Sequence, residues 1–307
     1  VEFGQGTLYD PATENSSSVN PVNFVVPEGC TGTFHADPRC NYTGRLTGRG
    51  TFNVYDAWVR CTFSGDWSDF EGTVVPRLEN RTTKHLYTNE TFDFTNSHGL
   101  PRATLNVPSG VTVSNNGHDF PLGSVTGAGT LAGSGAWIVG VSGNDFNFGV
   151  VSTSKVVKRG AGRMNLSFVN KVQGQLQVDE GMLSFTSGTA TPIIGSTLTV
   201  NGEAEVKGTG LVSAVTLNGA SRFSPVKYAN DNLGGVFRTS AMFKMAPTAT
   251  ANFVVSSKSG TAVVGSRIEC GNFLYLGNVR VTLADGYTPT VGDSICLWTC
   301  QRVMQAP

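Results

Sequence analysis

The sequence predicts an all-β chain wound as a right-handed parallel β-helix, a β-solenoid with irregular coil lengths. Three observations carry that expectation. Gly-x-Gly corners recur, each opening a strand-like segment: Gly4-Gln5-Gly6, Gly48-Arg49-Gly50, Gly127-Ala128-Gly129, Gly160-Ala161-Gly162 and Gly208-Thr209-Gly210. Apolar and polar residues alternate strictly in short runs such as Gln175-Leu176-Gln177-Val178-Asp179 and Thr197-Leu198-Thr199-Val200-Asn201. No segment sustains a 3.6-residue apolar period over three helical turns.

Glycines two apart supply backbone freedom where a chain turns a tight corner before extending. A corner reused down a chain marks one supersecondary unit stacked repeatedly. The corners are spaced irregularly, roughly 33 to 79 residues apart, so other coils must turn on degenerate sequences. A parallel β-helix tolerates uneven coils because insertions leave at the corners. A sandwich of this length would divide at a linker, and a propeller would show a regular blade period. Neither sign is present, so the expected organisation is one elongated domain, 1–307.

Along the chain, Phe52 and Val54 read as inward, with Asn53 and Tyr55 outward, because successive strand side chains point to opposite faces. By the same parity Trp58, Arg60 and Thr62 read as outward. Residues 77–122 fit worst, with a polar run Arg77-Leu78-Glu79-Asn80-Arg81 and a loop-like Asn96-Ser97-His98-Gly99, and they are expected to hold a loop-rich excursion. Further on, period two places Leu176, Val178, Leu183, Phe185, Leu198 and Val200 inward and Gln177 and Thr199 outward. In Asn278-Val279-Arg280-Val281-Thr282-Leu283 it places Val279 and Val281 inward and Arg280 outward.

Composition bounds the function. The chain has 307 residues, 39% hydrophobic and only 14% charged, with no net charge. Thr, Ser, Asn and Gly supply a surface of the kind found on secreted β-rich proteins. Without a basic run, nucleic acid is not expected as a partner, since phosphate contacts need clustered Lys and Arg. No apolar run approaches the ~18 residues of a membrane helix. The first residue is Val1, and no charged-then-apolar leader precedes the body, which reads as a processed chain or a fragment.

Six cysteines fall in two groups, Cys30, Cys40 and Cys61, then Cys270, Cys296 and Cys300. Their spacing is not that of a zinc site, and no metal or other cofactor is expected. In an exported protein a bridge between Cys30 and Cys40 would close a reasonable loop. The alternative is that the cysteines are small buried hydrophobes. The histidines His35, His85, His98 and His118 are scattered and read as loop residues.

Val156-Val157-Lys158-Arg159-Gly160-Ala161-Gly162-Arg163-Met164-Asn165-Leu166, continuing through Gln175–Asp179 to Gly181-Met182-Leu183-Ser184-Phe185, resembles the autotransporter-associated β-strand repeat. In that repeat a Lys-x-Gly-x-Gly-Thr-Leu opening leads through strand and corner to a closing Gly-x-Leu. Here Arg163 and Met164 replace Thr and Leu, which keeps the order polar then apolar. Gly65-Asp66-Trp67-Ser68-Asp69-Phe70 looks like a variant found in large surface proteins of the Bacteroidetes group. Gly286-Tyr287-Thr288-Pro289 is similar to segments that follow the last repeats. The resemblance implies a passenger-type β-helix, secreted or held at the cell surface. It is specific for architecture and nearly silent on activity.

Catalytic signals are thin. A lyase needs a base and calcium-binding carboxylates, and a hydrolase needs carboxylates facing each other across a sugar. Asp66 and Asp69 flank Trp67 in a repeat-like corner, Glu203, Glu205 and Lys207 read as a solvated stripe, and Asp231 has no acidic neighbour in sequence. Ser134 lies in Gly133-Ser134-Gly135 without a partner histidine. Tyr55, Trp58, Arg60 and Trp67 form a candidate sugar platform, with rings to stack and a guanidinium to hydrogen-bond hydroxyls. The expected function is therefore a noncatalytic extracellular adhesin or stalk segment of a bacterial surface protein. Its partners would be host or environmental glycans, or other surface copies. The alternative is a glycan-binding module attached to a carbohydrate-active enzyme, followed by a polysaccharide lyase.

Overall fold

The computed structural model describes residues 1–10, 18–36, 40–56, 61–78, 91–166, 172–186, 196–228, 230–259, 262–284 and 286–304. All regular structure among them is β, and nearly all strand pairs are parallel. The chain divides into two compact units, Val1–Val156 and Val157–Pro307.

In the first unit the main ladder runs through Gln5–Asp10, Thr31–Ala36, Thr51–Asp56, Thr73–Leu78, Leu100–Val107, Phe120–Gly127 and Trp137–Val139. Thr31 faces Thr51, Thr51 faces Thr73, Thr73 faces Thr104 and Thr104 faces Ser124, in steps of 20, 22, 31 and 20 residues. Between Thr31 and its return at Thr51 the chain visits two further sheets, through Cys40–Tyr42 and Leu46–Gly48. Parallel pairing after each full circuit makes this a β-helix coil. The longest step covers the first part of the expected excursion, 77–122. Of that segment, Leu100–Val107 and Phe120–Gly127 are ladder strands, and 79–90 lie outside the described residues.

The interior of this unit is filled by rings. Phe24, Phe34, Tyr42, Phe52, Phe63, Trp67, Phe92, Phe94, Phe120 and Trp137 are all at most 1% exposed. Their centroids lie 4.8 to 5.9 Å apart, as between Phe24 and Phe34, Phe94 and Phe120, and Phe52 and Trp67. Such distances are those of favourable aromatic pairs. The Gly48-Arg49-Gly50 corner shows why glycine recurs. Gly48 has φ 107°, and a Cβ on it would lie 2.1 Å from the Val26 carbonyl oxygen, one coil back. Arg49 and Gly50 both donate their backbone N–H to that same oxygen.

The second unit carries two ladders. One runs through Leu176–Val178, Thr197–Val200, Ala214–Leu217, Val236–Met245, Arg267–Tyr275 and Trp298–Met304. The other runs through Arg163–Leu166, Met182–Phe185, Glu205–Gly208, Arg222–Ser224, Thr250–Ser259 and Asn278–Leu283. Leu176, Leu198 and Val215 face one another in register, as do Met164, Leu183, Val206 and Phe223. Leu176, Val178, Leu183, Phe185, Leu198 and Val200 are buried, and Gln177 and Thr199 are half-buried on the opposite face. Two antiparallel hairpins depart from the pattern, Val226–Lys227 with Asn230–Gly234 and Thr250–Ser259 with Ala262–Gly265.

The inward placement of Val279 and Val281 is corrected. Val279 is half-buried and Val281 is 45% exposed. Among the described residues their strand pairs with Thr250–Ser259 alone, so no following strand covers its apolar side chains.

Candidate functional site

Parity puts Tyr55 on the outer face, and the in-register ladder decides what it meets there. Tyr9 faces His35 and His35 faces Tyr55 across successive coils. The three rings stack with centroids 4.3 Å apart and planes within 9° and 6° of parallel. The Arg77 guanidinium lies 5.8 Å from the centroid of Tyr55. Stacking along the ladder covers one face of Tyr55 with His35 while Arg77 approaches the ring, so the Tyr55 faces are engaged by protein groups rather than open as a sugar platform. Trp58 and Arg60 lie outside the described residues.

Trp67, a candidate ring of the sugar platform, is instead a core residue. It is 1% exposed, packs against Phe52, Phe63 and Phe94, and donates its indole N–H to the Gly44 carbonyl at 3.3 Å. The corner itself turns it inward. Asp66 accepts from the Ser68 backbone N–H at 3.0 Å and from its hydroxyl at 2.6 Å, and these bonds hold the Asp66 carboxyl below its ordinary range. A Cβ on Gly65 would lie 1.8 Å from the Gly44 oxygen, so the chain here presses directly on the coil before it. Asp69 is tied instead to Arg45.

Cys30 precedes the strand Thr31–Ala36 and Cys40 follows it, and a strand of six residues spans about 20 Å. A disulfide needs Cα atoms within about 7 Å. The straight strand therefore sets the two partners expected from sequence apart.

A concave feature lies in the second unit. A groove of about 340 Å³ is lined by Arg163, Met182, Ser184 and Lys207 on ladder strands, and by Val226, Lys227, Tyr228 and Asp231 on the short hairpin. Lys207 is the electrostatic centre. Its Nζ lies 2.7 Å from Asp231 Oδ2 and 3.6 Å from Glu205 Oε1. Burial alone would lower Lys207, but the hydrogen bond it donates to Asp231 and the charge of Glu205 more than offset this and hold it above its ordinary value. Sequence reasoning saw Asp231 without an acidic neighbour, whereas the hairpin brings it to the ammonium that also serves Glu205. Two carboxylates sharing one cation form a bridge, a different arrangement from a pair facing each other across a sugar.

Tyr228, 46% exposed at the hairpin, is the groove's aromatic group and went unnoticed in the sequence. The available signal was a tyrosine in a polar run, Lys227-Tyr228-Ala229-Asn230-Asp231, between apolar Val226 and Leu233. Among the described residues, no group of three or more His, Cys, Asp and Glu is placed to hold a metal ion, and no helix is long and apolar enough to cross a membrane. No protein-family model matches the chain, and no curated protein matches it.

Proposed function

We propose that this chain is a noncatalytic extracellular segment of a bacterial surface protein, an adhesin or stalk related to the autotransporter-associated repeats that its corners resemble. The observation that carries the reading is how the outer side chains are used. Tyr9, His35, Tyr55 and Arg77 engage one another across successive coils, as do Asp179, Asn201 and Asn218 on the other unit. These outer faces reinforce coil stacking. In the groove, Lys207 joins the nearest two carboxylates, which supports a role in architecture over bond cleavage. Incubation with neutral and uronate-containing polysaccharides should release neither reducing ends nor unsaturated products. Release of either by the purified chain, lost in a Lys207→Ala variant that stays folded, would replace this reading with an enzyme.

One observation favours a second reading, glycan binding within a carbohydrate-active assembly. Tyr228 stands exposed beside Lys227, Lys207 and Arg163, an aromatic ring among hydrogen-bond donors. A glycan array should then give hits that Tyr228→Ala abolishes at unchanged thermal stability. One exposed ring supports only weak binding, on the order of millimolar, so adhesion would depend on many copies acting together.

A further inference from the structure

Four of the six cysteines stand opposite one another in the ladders. Cys270 and Cys300 are register partners in the strands Arg267–Tyr275 and Trp298–Met304. In the first unit Asn41 faces Thr62 and Tyr42 faces Phe63, so the position before each sets Cys40 against Cys61. Both of those thiols are buried, at 3% and 2% exposure, with the Tyr42 and Phe63 rings stacked 5.3 Å apart two residues on. Cys270 is buried and Cys300 half-buried on the same side of their ladder. Paired strands run about 4.7–4.9 Å apart, inside the ~4.4–6.8 Å range of Cα separations that a disulfide spans. The side chains need to draw together by about 1 Å, the difference between strand spacing and the ~3.8 Å mean Cβ separation of a disulfide.

We propose that Cys40 bonds to Cys61 and Cys270 to Cys300, two disulfides that each staple one coil of a unit to the next, with Cys30 and Cys296 remaining thiols. The oxidant is a disulfide of the glutathione or protein-dithiol class. A cysteine thiolate attacks one of its sulfurs and expels a thiolate. The partner cysteine, having lost its proton, then attacks the mixed disulfide and expels the second. Each pair gives up two electrons and two protons, and the oxidant becomes two thiols. Burial pushes the Cys61 thiol well up and the Cys270 thiol to about 11, so the reactive thiolate is scarce once the coils have closed. The exchange therefore belongs to folding, before the interior seals. Each bond closes a loop one coil long and restricts the unfolded chain.

The test is to refold reduced protein in a mixture of reduced and oxidised glutathione, alkylate it under denaturing conditions and digest it without reduction. The expected products are Cys40–Cys61 and Cys270–Cys300 linked peptides, alkylated Cys30 and Cys296, and an intact mass about 2 Da lower per bond before alkylation. Alkylation of all six cysteines, or a Cys30–Cys40 linked peptide, would overturn the assignment. A Cys300→Ser variant, checked for β-structure by circular dichroism, separates stapling from packing. It should melt below the oxidised parent without reductant and match it once reductant is added. An equal deficit under both conditions would contradict the staple.

Discussion

Two corners, one in each unit, solve the same problem with opposite chemistry. A tight β-helix corner turns carbonyl oxygens inward, and each needs a donor because a buried acceptor left unmet is costly. At Gly65-Asp66-Trp67 the donor is an indole N–H reaching Gly44, and the rest of the ring fills space among Phe52, Phe63 and Phe94. At Gly160-Ala161-Gly162 the donor is the Lys158 ammonium. Lys158 is 0% exposed, and its Nζ donates to the carbonyls of Arg159 at 2.8 Å, Gly160 at 2.6 Å and Glu180 at 3.3 Å. The lysine of the Lys-x-Gly-x-Gly pattern is thus a plug for its own corner and for the coil that follows. One corner is plugged by apolar volume carrying a single hydrogen bond, and the other by charge-assisted hydrogen bonds.

The comparison predicts unequal losses. Trp67→Ala should have the largest effect, about 3–5 kcal/mol by denaturant unfolding, because it opens a cavity in a ring-packed interior and leaves the Gly44 oxygen unmet. Lys158→Ala should cost about 2–3 kcal/mol, since the lost bonds are charge-assisted. If Lys158→Ala were neutral while Trp67→Ala was costly, the corner carbonyls would not need the ammonium, and the parallel between the corners would fail.

A smaller effect belongs to the polar ladder beside the lysine corner. Asn218 donates to Asn201 at 2.9 Å, and Asn201 donates to Asp179 at 2.8 Å, where Gln177 at 2.6 Å and Arg159 at 3.3 Å also converge. Asn201→Ala should cost about 1 kcal/mol. Burial pushes the Asp179 carboxyl up, but these donors outweigh it and leave the group below its ordinary range. A carboxyl lowered by folding contributes stability that is complete above about pH 4 and is lost as pH falls through the folded value. Melting temperature followed from about pH 5 down to about pH 2 should therefore fall less steeply in Asp179→Asn than in the parent.

The smallest predicted effect is at Val281, with a buried ladder leucine as its control. Leu198→Ala should cost about 2–5 kcal/mol, whereas Val281→Ala should stay within about 0.5. Both valines and leucines of this kind alternate in the sequence, and that is where legibility ends. Period two tells which side chains share a face, and it placed Leu176, Leu198 and Tyr55 correctly. It does not tell whether a further coil covers that face, so Val281 was misplaced. Trp67 was misread for a related reason. Its neighbours Asp66, Ser68 and Asp69 look like an exposed turn, but its direction is decided by Gly44, 23 residues earlier in the chain. The groove stayed hidden because Lys207 and Asp231 meet only through the hairpin, 24 residues apart. The Gly-x-Gly corners, by contrast, were legible, since a Cβ at Gly48 is excluded by the local backbone of the adjoining coil.

Successive coils stack parallel and in register, and nitroxide spin labels test that stacking directly. With native cysteines replaced by serine, labels at Thr31 and Thr51 should sit on facing positions about 5 Å apart at Cα and give strong dipolar broadening. Labels at Thr31 and Tyr55 should be offset by four strand residues, about 14 Å, and broaden weakly. The reverse order, with Thr31 and Tyr55 the closer pair, would mean antiparallel strands and would contradict the β-helix.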